Sequence, residues 1–201
     1  AASVTIDALG AFNSQNITAT AGNVDIEADL IAAGAIQAIG GDVLLAAPGA
    51  ITAGNISART VAGVGGAIDI ASDTGALTLG TLSANTDITL GTTGSISAGA
   101  VVTTGGALTV GGGALPSSVT FSGNALARSI TIDTAGAFSG TNLTATAGDV
   151  DIAAAMINAG AVRATGGDVL LAAPGAITTG NVTATTVAGV GGAIDIASDT
   201  G

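Results

Sequence analysis

The sequence has 201 residues, including 33 glycines and no cysteine, and 48% of the residues are hydrophobic although only 1% are aromatic. With 14 acidic and three basic residues, the net charge at pH 7 is −11. This charge excludes nucleic acid as a partner, because lysine and arginine must neutralise the phosphates. The hydrophobic content excludes a disordered chain, and the shortage of large side chains predicts a thin core that is repeated many times.

No stretch of the sequence predicts a membrane-spanning helix. Such a helix needs about 18 or more consecutive apolar residues, and here Thr, Ser, Asp or Gly interrupts every apolar run. The first residues lack the basic region of a signal peptide. We therefore expect that a signal has been removed or that the chain is an interior piece. The absence of cysteine fits a bacterial secreted protein stabilised by hydrogen bonds.

The sequence repeats itself at two scales. Residues 3–75 align without a gap on residues 129–201, with 54 of 73 positions identical and a shift of 126 residues. Turn residues divide this super-repeat into six units of 19, 20, 26, 19, 24 and 18 residues, which begin at Asn16, Ala35, Asn55, Thr81, Ala100 and Asn124. The next units begin at Asn142, Ala161 and Asn181. Repetition of this kind predicts a solenoid.

Each unit carries a middle strand with the clearest pattern. Two apolar residues flank one that is usually polar, which is the period-2 pattern of a strand with one buried face. The apolar pairs are Val4/Ile6, Val24/Ile26, Val43/Leu45, Ile68/Ile70, Ile88/Leu90, Leu108/Val110, Ile130/Ile132, Val150/Ile152, Val169/Leu171 and Ile194/Ile196. Leu44 and Leu170 break the alternation, because both occupy the position that is otherwise polar.

Two further strands are predicted in each unit, before and after the middle one. The first contains Ile17, Ile36, Ile56, Leu82, Val101, Leu143, Val162 and Val182. The third contains Phe12, Ile31, Ile51, Leu77, Ile96, Phe121, Phe138, Ile157 and Ile177. Like positions recur once per unit rather than in mirror order, so the strands of successive units are expected to stack in parallel with right-handed crossovers.

The predicted fold class is therefore all-β, a right-handed parallel β-helix (β-solenoid) of about ten three-stranded coils of roughly 18–26 residues each. Residues 1–201 are interpreted as a single solenoid segment of a longer repeat array, with six coils per super-repeat. This follows because neither end resembles the cap that an exposed strand edge needs.

Several motifs suggest chemistry that the rest of the chain does not support. Asp73-Thr74-Gly75 and Asp199-Thr200-Gly201 match the aspartic-protease triplet, but six coils of about 4.8 Å separate them by roughly 29 Å, whereas that reaction needs two adjacent carboxylates. An Asx-type turn is the preferred interpretation. Glycine-rich runs at 63–66 and 111–113 precede no helix and no lysine, so they are read as loops rather than as phosphate-binding sites.

Other polar residues recur at fixed positions of the units. Ca²⁺ binding is kept as an alternative for the outward Asp25, Asp69, Asp151 and Asp195 and for the turn residues Asp42, Asp87, Asp149 and Asp168, although solvated surface acids are the preferred interpretation. Four N-glycosylation sequons begin at Asn16, Asn55, Asn142 and Asn181, where asparagine also suits a turn. An outward Thr/Ser column contains Thr52, Thr78, Ser97, Thr120 and Thr178.

The imperfect coils, such as the run from Gly41 to Ile56, resemble the repeats of filamentous-haemagglutinin-like proteins. These are large bacterial adhesins of the two-partner secretion type. The resemblance covers essentially the whole chain, and it implies an extracellular right-handed β-helical fibre that is secreted by, or displayed on the surface of, a Gram-negative bacterium.

The leading hypothesis is a non-catalytic structural shaft or filament of a cell-surface fibre, such as a biofilm matrix or an adhesin stalk. No catalytic, cofactor-binding or metal residue is assigned. The expected partner is the chain itself, end to end or laterally, with a cell-surface or matrix polysaccharide as a further partner. The alternative is an adhesin module that contacts glycans or host surfaces through loops at 59–66 and 111–118. An ice-binding protein or a polysaccharide-active enzyme comes third.

Overall fold

A computed structural model describes residues 1–189 and 192–199. Over these residues the chain forms 26 strands, numbered β1 to β26 in chain order, and no helix. The strands belong to a nine-stranded and a 17-stranded parallel sheet. The predicted fold class is confirmed: the chain is a parallel β-solenoid of about nine turns that matches a right-handed parallel β-helix.

Each turn of the solenoid contributes one strand to each of three faces. The first face is the nine-stranded sheet, made of β2 (Ile17–Ala19), β4 (Ile36–Ile39), β7 (Ile56–Arg59), β10 (Leu82–Ala84), β13 (Val101–Thr103), β16 (Ala125–Ala127), β19 (Leu143–Ala145), β22 (Val162–Thr165) and β25 (Val182–Thr185). Each of these strands begins one residue after the start of a predicted unit, so the unit boundaries are confirmed.

The 17-stranded sheet supplies the other two faces. The second face contains β5 (Val43–Ala47), β8 (Ile68–Ser72), β11 (Ile88–Gly91), β14 (Leu108–Val110), β17 (Ile130–Asp133), β20 (Val150–Ala153), β23 (Val169–Ala173) and β26 (Ile194–Ser198). The third face contains β6 (Ile51–Ala53), β9 (Leu77–Leu79), β12 (Ser95–Ala98), β15 (Ser118–Phe121), β18 (Ala137–Gly140), β21 (Met156–Ala159) and β24 (Ile177–Thr179). Two longer strands, β1 (Val4–Ser14) and β3 (Val24–Ala33), belong to both faces.

The continuity of β1 and β3 differs from the sequence-based expectation of two separate strands. In most later coils a turn that contains Gly, Pro, Ser or Thr interrupts the strand at this corner, but β1 and β3 continue through it as strand. Their pairing has an irregularity there, because Ala8 pairs with Ala28 whereas Ala11 pairs with Leu30. The extra residue is a β-bulge, which lets one strand bend between two faces.

The core consists of columns of aliphatic side chains that run along the solenoid. The predicted middle-strand pairs stack in the expected register from Val4/Ile6 to Ile194/Ile196. Between the end coils these side chains are almost entirely buried, as Ile26 and Ile70 show. Since the branched side chains repeat at the strand spacing of about 4.8 Å, each coil buries its apolar face only against its neighbours.

Phe121 is buried in the third strand of its coil, as predicted, but its register differs from the expectation. Phe121 was expected in the same column as Ile96 and Phe138, but Ile96 pairs with Val119, and Val119 pairs with Phe138. Phe121 instead pairs with Ala98 and Gly140, one inward position further along the strand. The two phenylalanine rings meet edge to face, with centroids 5.8 Å apart.

Glycine at position 140 makes room for this ring pair. A Cβ atom there would lie 2.6 Å from Cζ of Phe138. The same coil carries the small Ala125 at the position where other coils of the first face have Ile, Leu or Val. Close packing requires such compensation of volumes within a coil.

Candidate functional site

The predicted turn acids bind the backbone of the next coil. Asp42 Oδ1 accepts a hydrogen bond from the N–H of Ala67 at 2.9 Å, and Asp87 Oδ1 accepts one from Ala107 at 2.8 Å. The Oδ1 atoms of Asp149 and Asp168 accept corresponding bonds from Asp168 and Ala193. At these four corners, a carboxylate that accepts a backbone N–H stabilises the stacking of coils.

The asparagines of the predicted sequons have the same structural role at another corner. Oδ1 of Asn16, Asn55 and Asn142 accepts a hydrogen bond from the backbone N–H of the next coil at 2.9–3.0 Å. The turn interpretation is therefore confirmed at these three sites. The side chains are exposed at the surface, and N-glycosylation of them stays a prediction.

The corner between the second and third faces uses hydroxyl groups. Ser72 Oγ accepts the N–H of Gly75 at 2.9 Å and donates to the carbonyl of Gly49 at 2.8 Å. The first Asp-Thr-Gly triplet thus lies in a turn, as expected, but Ser72 rather than Asp73 closes it. For the second triplet, Thr200 and Gly201 lie outside the described residues.

Buried polar groups in the described part of the chain are all satisfied. Thr103, which is 2% exposed, replaces alanine in an inward column, and its hydroxyl donates to the carbonyl of Gly106 and accepts the N–H of the same residue. No buried side-chain nitrogen or oxygen among residues 1–189 and 192–199 lacks a hydrogen-bond partner. The interior therefore offers no unpaired polar group for chemistry.

The outward aspartates of the second face lie in one column along the rod. Leu44 pairs with Asp25 on one side and with Asp69 on the other, and Leu170 lies in the same way between Asp151 and Asp195. The leucine that breaks the predicted alternation thus separates two carboxylates by two strand spacings, about 9.6 Å. In the described part of the chain no three carboxylates lie close enough together to hold a metal ion.

Asp151 of this column lies near two carboxylates outside the column, Asp133 and Asp149. Partial desolvation raises the pKa of its carboxyl group above the ordinary value of 3.8, and the negative charges of Asp133 and Asp149 raise it further. Protons therefore bind more tightly to Asp151 in the folded chain than in the unfolded chain. The resulting stabilisation is complete below pH 3.8 and is lost as the pH rises through the raised pKa.

Asp151→Asn is expected to raise the melting temperature near pH 7 and to leave it almost unchanged near pH 3, because asparagine carries no charge to be desolvated or repelled. Thermal unfolding followed by circular dichroism at both pH values measures this. Asp25→Asn is the matched control, because Asp25 is the equivalent of Asp151 in the first copy of the super-repeat. Asn23 takes the place of Asp149 there, so removal of the Asp25 charge should have the smaller effect. Equal stabilisation by both variants would contradict the account.

The predicted Thr/Ser column is more continuous than the sequence indicates. Thr52, Thr78, Ser97 and Thr120 stack in register on the third face. Ser139 and Asn158 continue the column to Thr178. The result is an uncharged, hydrogen-bonding stripe along the third face.

Two loops interrupt the otherwise regular coils, as predicted. In the first, Val61 and Val64 form an isolated antiparallel bridge around Ala62 and Gly63, whose φ angles are 53° and 78°. Gly40 of the preceding coil leaves room for this loop, because a Cβ atom there would lie 3.3 Å from Cβ of Val61. In the second copy Ala188 and Gly189 have φ angles of 52° and 79°, while Val190 and Gly191 lie outside the described residues.

The base of the first loop is fixed by hydrogen bonds. Asn85 Oδ1 of the next coil accepts the N–H of Thr60 at 2.9 Å, and the Thr60 hydroxyl donates to the carbonyl of Gly65 at 2.8 Å. The N–H of Gly66 donates to the carbonyl of Gly41 in the preceding coil at 3.0 Å. The loop is therefore tied to the coils on both sides of it.

The loop at 111–117 borders a groove of about 460 Å³. Leu115, which is 54% exposed, lines it together with the apolar Ala153, Ala172 and Pro174 and the carboxylates of Asp133 and Asp199. The loop is anchored because the Pro116 carbonyl accepts the hydroxyl of Thr134 at 2.7 Å. This groove is the structural feature that corresponds to the predicted loop-binding alternative.

These features define the chain as a parallel β-solenoid repeat protein whose recurrent polar residues serve mainly to join one coil to the next. Comparison with protein-family models, with curated proteins and with solved structures found no match. Over the described residues no helix is long and apolar enough to cross a membrane.

Proposed function

We propose that this chain is a section of a non-catalytic shaft of a bacterial extracellular fibre, of the kind that filamentous-haemagglutinin-like repeats build. The observation that carries the proposal is the use of the polar corner residues. Asn, Asp, Ser and Thr side chains at three corners bind the backbone of a neighbouring coil. Groups that could serve as ligands or catalysts in another protein here hold successive coils together.

The arrangement supports a mechanical role. Parallel ladders on three faces join each coil to the next, so a pull along the rod is opposed by every strand pairing in a coil at once. The net charge of −11 corresponds to about one negative charge per coil, which keeps rods soluble and limits unspecific association. A super-repeat of 126 residues lets the shaft lengthen by duplication without a change of register.

Location at the cell surface is tested with antibodies raised against residues 1–201. On intact cells of the source bacterium, immunogold labels should follow extended fibres outside the outer membrane. Permeabilised cells serve as the control for internal antigen. Label that appears only after permeabilisation would overturn the extracellular shaft.

A second candidate function, adhesion through the loop at 111–118, is favoured by the groove beside Leu115. Its lining combines apolar residues with the carboxylates of Asp133 and Asp199, which can accept hydrogen bonds from sugar hydroxyl groups. Binding of the purified chain to a panel of surface and matrix glycans tests this function. Loss of binding in Leu115→Asp, with Leu44→Asp in β5 as the control away from the groove, would support it, and no binding to any glycan would count against it.

A further inference from the structure

Charge is divided unequally around the rod. Of the three arginines, Arg59 and Arg163 belong to strands of the first face, and Arg128 directly follows β16 of that face. The nine strands of the first face, all of which are described, contain no carboxylate. The outward carboxylates lie on the second face and at its corners, so the charged side chains of the first face are all positive, in a molecule with a net charge of −11.

The first face also carries exposed apolar side chains. Leu126 points outward from the middle of β16 and is 37% exposed. At one edge of the face the two loops present Val61, Val64 and Val187, which are 51%, 62% and 50% exposed. Val187 lines a groove of about 260 Å³ together with Thr146 and Thr165, at the edge where strands of the first face end.

The apolar positions are evenly spaced. The two loops follow β7 and β25, and β16 is the third strand from each of them in the order of the sheet. Leu126 therefore lies midway between the loops, about 14 Å from each along the rod at a spacing of 4.8 Å per coil. This even spacing does not follow from the sequence identity between residues 3–75 and 129–201, because Leu126 lies outside both segments.

We infer that the first face is a pairing surface for a second copy of this chain, with the two rods antiparallel and a two-fold axis along β16. This rotation places Leu126 of each copy against Leu126 of the other. It also places the loop at 60–66 of each copy against the loop that follows β25 of the other. An isologous contact of this kind closes on itself and gives a dimer of rods.

The spacing of the apolar positions favours a second copy as the partner, because another copy of this super-repeat carries its two loops at the same separation of six coils. Pairing through the second face would bring aspartate columns together, whereas pairing through the first face opposes no carboxylates. Arg59 then faces the threonines of β25, and Arg163 faces Ser83 and Asn85 across the axis. Arg128 lies beside the axis and faces Arg128 of the second copy, so charge does not drive the contact.

The contact is small, since it consists of short strands and two loops, and we expect a reversible dimer rather than a permanent one. In a longer array the loops recur every 126 residues, so several weak contacts would form together and their affinities would combine. This pairing specifies how the proposed shaft associates with itself, and it therefore rests on the proposed function.

Crosslinking tests the position of the axis, and the absence of cysteine from the chain allows single thiols to be introduced. Facing sheets pack about 10 Å apart, which is too far for a direct disulfide but within reach of a short bismaleimide. Leu126→Cys should yield a covalent dimer. Leu170→Cys, which replaces a leucine of similar exposure (38%) on the second face, should not.

Sedimentation equilibrium tests the role of the loops. Val61→Asp combined with Val187→Asp should weaken dimerisation at least about tenfold. The matched control, Leu44→Asp combined with Leu170→Asp, has the same separation and the same change in charge on the second face, and it should dimerise as the unmodified chain does. Circular dichroism establishes that each variant is folded.

The effect of added salt distinguishes this contact from one that is driven by attraction between opposite charges. Screening weakens the repulsion between two chains of like net charge, so dimerisation should persist or increase with ionic strength. An unmodified chain that stays monomeric at the highest soluble concentration, or equal crosslinking at positions 126 and 170, would overturn the pairing surface. Neither result bears on surface location, which the antibody experiment tests separately.

Discussion

Gly41→Ala is expected to destabilise the solenoid by about 3 kcal/mol or more, at the upper end of what overpacking costs. A Cβ atom at position 41 would lie 2.1 Å from the carbonyl carbon of Gly22 and 2.4 Å from the backbone nitrogen of Asn23. These contacts are with backbone atoms of the preceding coil, so no side-chain rotation relieves them. Two coils must separate locally, and their hydrogen bonds lengthen.

Gly91→Ala is the matched control for this substitution. Gly91 lies in β11, and a Cβ atom there would have no neighbour within 4 Å. Alanine at this position should leave stability unchanged or increase it by up to about 1 kcal/mol, since it restricts the unfolded chain. Urea unfolding followed by circular dichroism compares the two variants, and equal losses of stability would show that the glycine contact at the corner is not the cause.

Leu45→Ala is expected to cost about 2–5 kcal/mol, the usual range for a large cavity in a packed core. Leu45 is 1% exposed and stacks between Ile26 and Ile70 in an inward column of the second face. A cross-section of the solenoid contains a single coil, so few other side chains can move to fill the cavity left by the leucine. The cavity would interrupt the column and weaken both adjoining interfaces.

The neighbouring residue supplies the control. Leu44→Ala is the same chemical change one position earlier, on the outward side of the same strand. We expect a change within about 0.5 kcal/mol, as for most surface substitutions. Urea unfolding of the two variants under the same conditions measures the difference, and a loss at Leu44 as large as at Leu45 would contradict the assignment of inner and outer sides.

Period-2 alternation was sufficient to predict the register of the second face. One polar residue between two branched aliphatic residues leaves a single orientation in which the strand buries its apolar side. This is why the triplet at Val24–Ile26 and its equivalents stack as expected. The unit boundaries were also predictable, because Asn or a small residue marks each corner before the first face.

The third face was harder to predict because its inward positions hold residues of different size. Val119 and Phe121 are both apolar and two residues apart, so the pattern alone permits either to continue the column of Ile96. Volume decides between them: Phe121 fits where Gly140 and Ala98 leave space, and Val119 stacks next to Phe138. The sequence does not show which small residues will lie beside a large one in the next coil.

The roles of the corner residues also depend on the neighbouring coil. Asp42 and Asn55 were predicted in turns, but the N–H groups that they accept belong to residues 25 or 26 positions later. Ser72 rather than Asp73 closes its turn because its hydroxyl both donates and accepts. Likewise, the unequal distribution of charge emerges only when the strands are assigned to faces.

Electron cryomicroscopy of the native material from the source organism tests the central claim, a shaft of stacked coils, most directly. The account predicts continuous fibres with an axial layer line near 4.8 Å and a longer repeat of roughly 29 Å from six coils. Discrete particles of about 18.5 kDa without either repeat would contradict it.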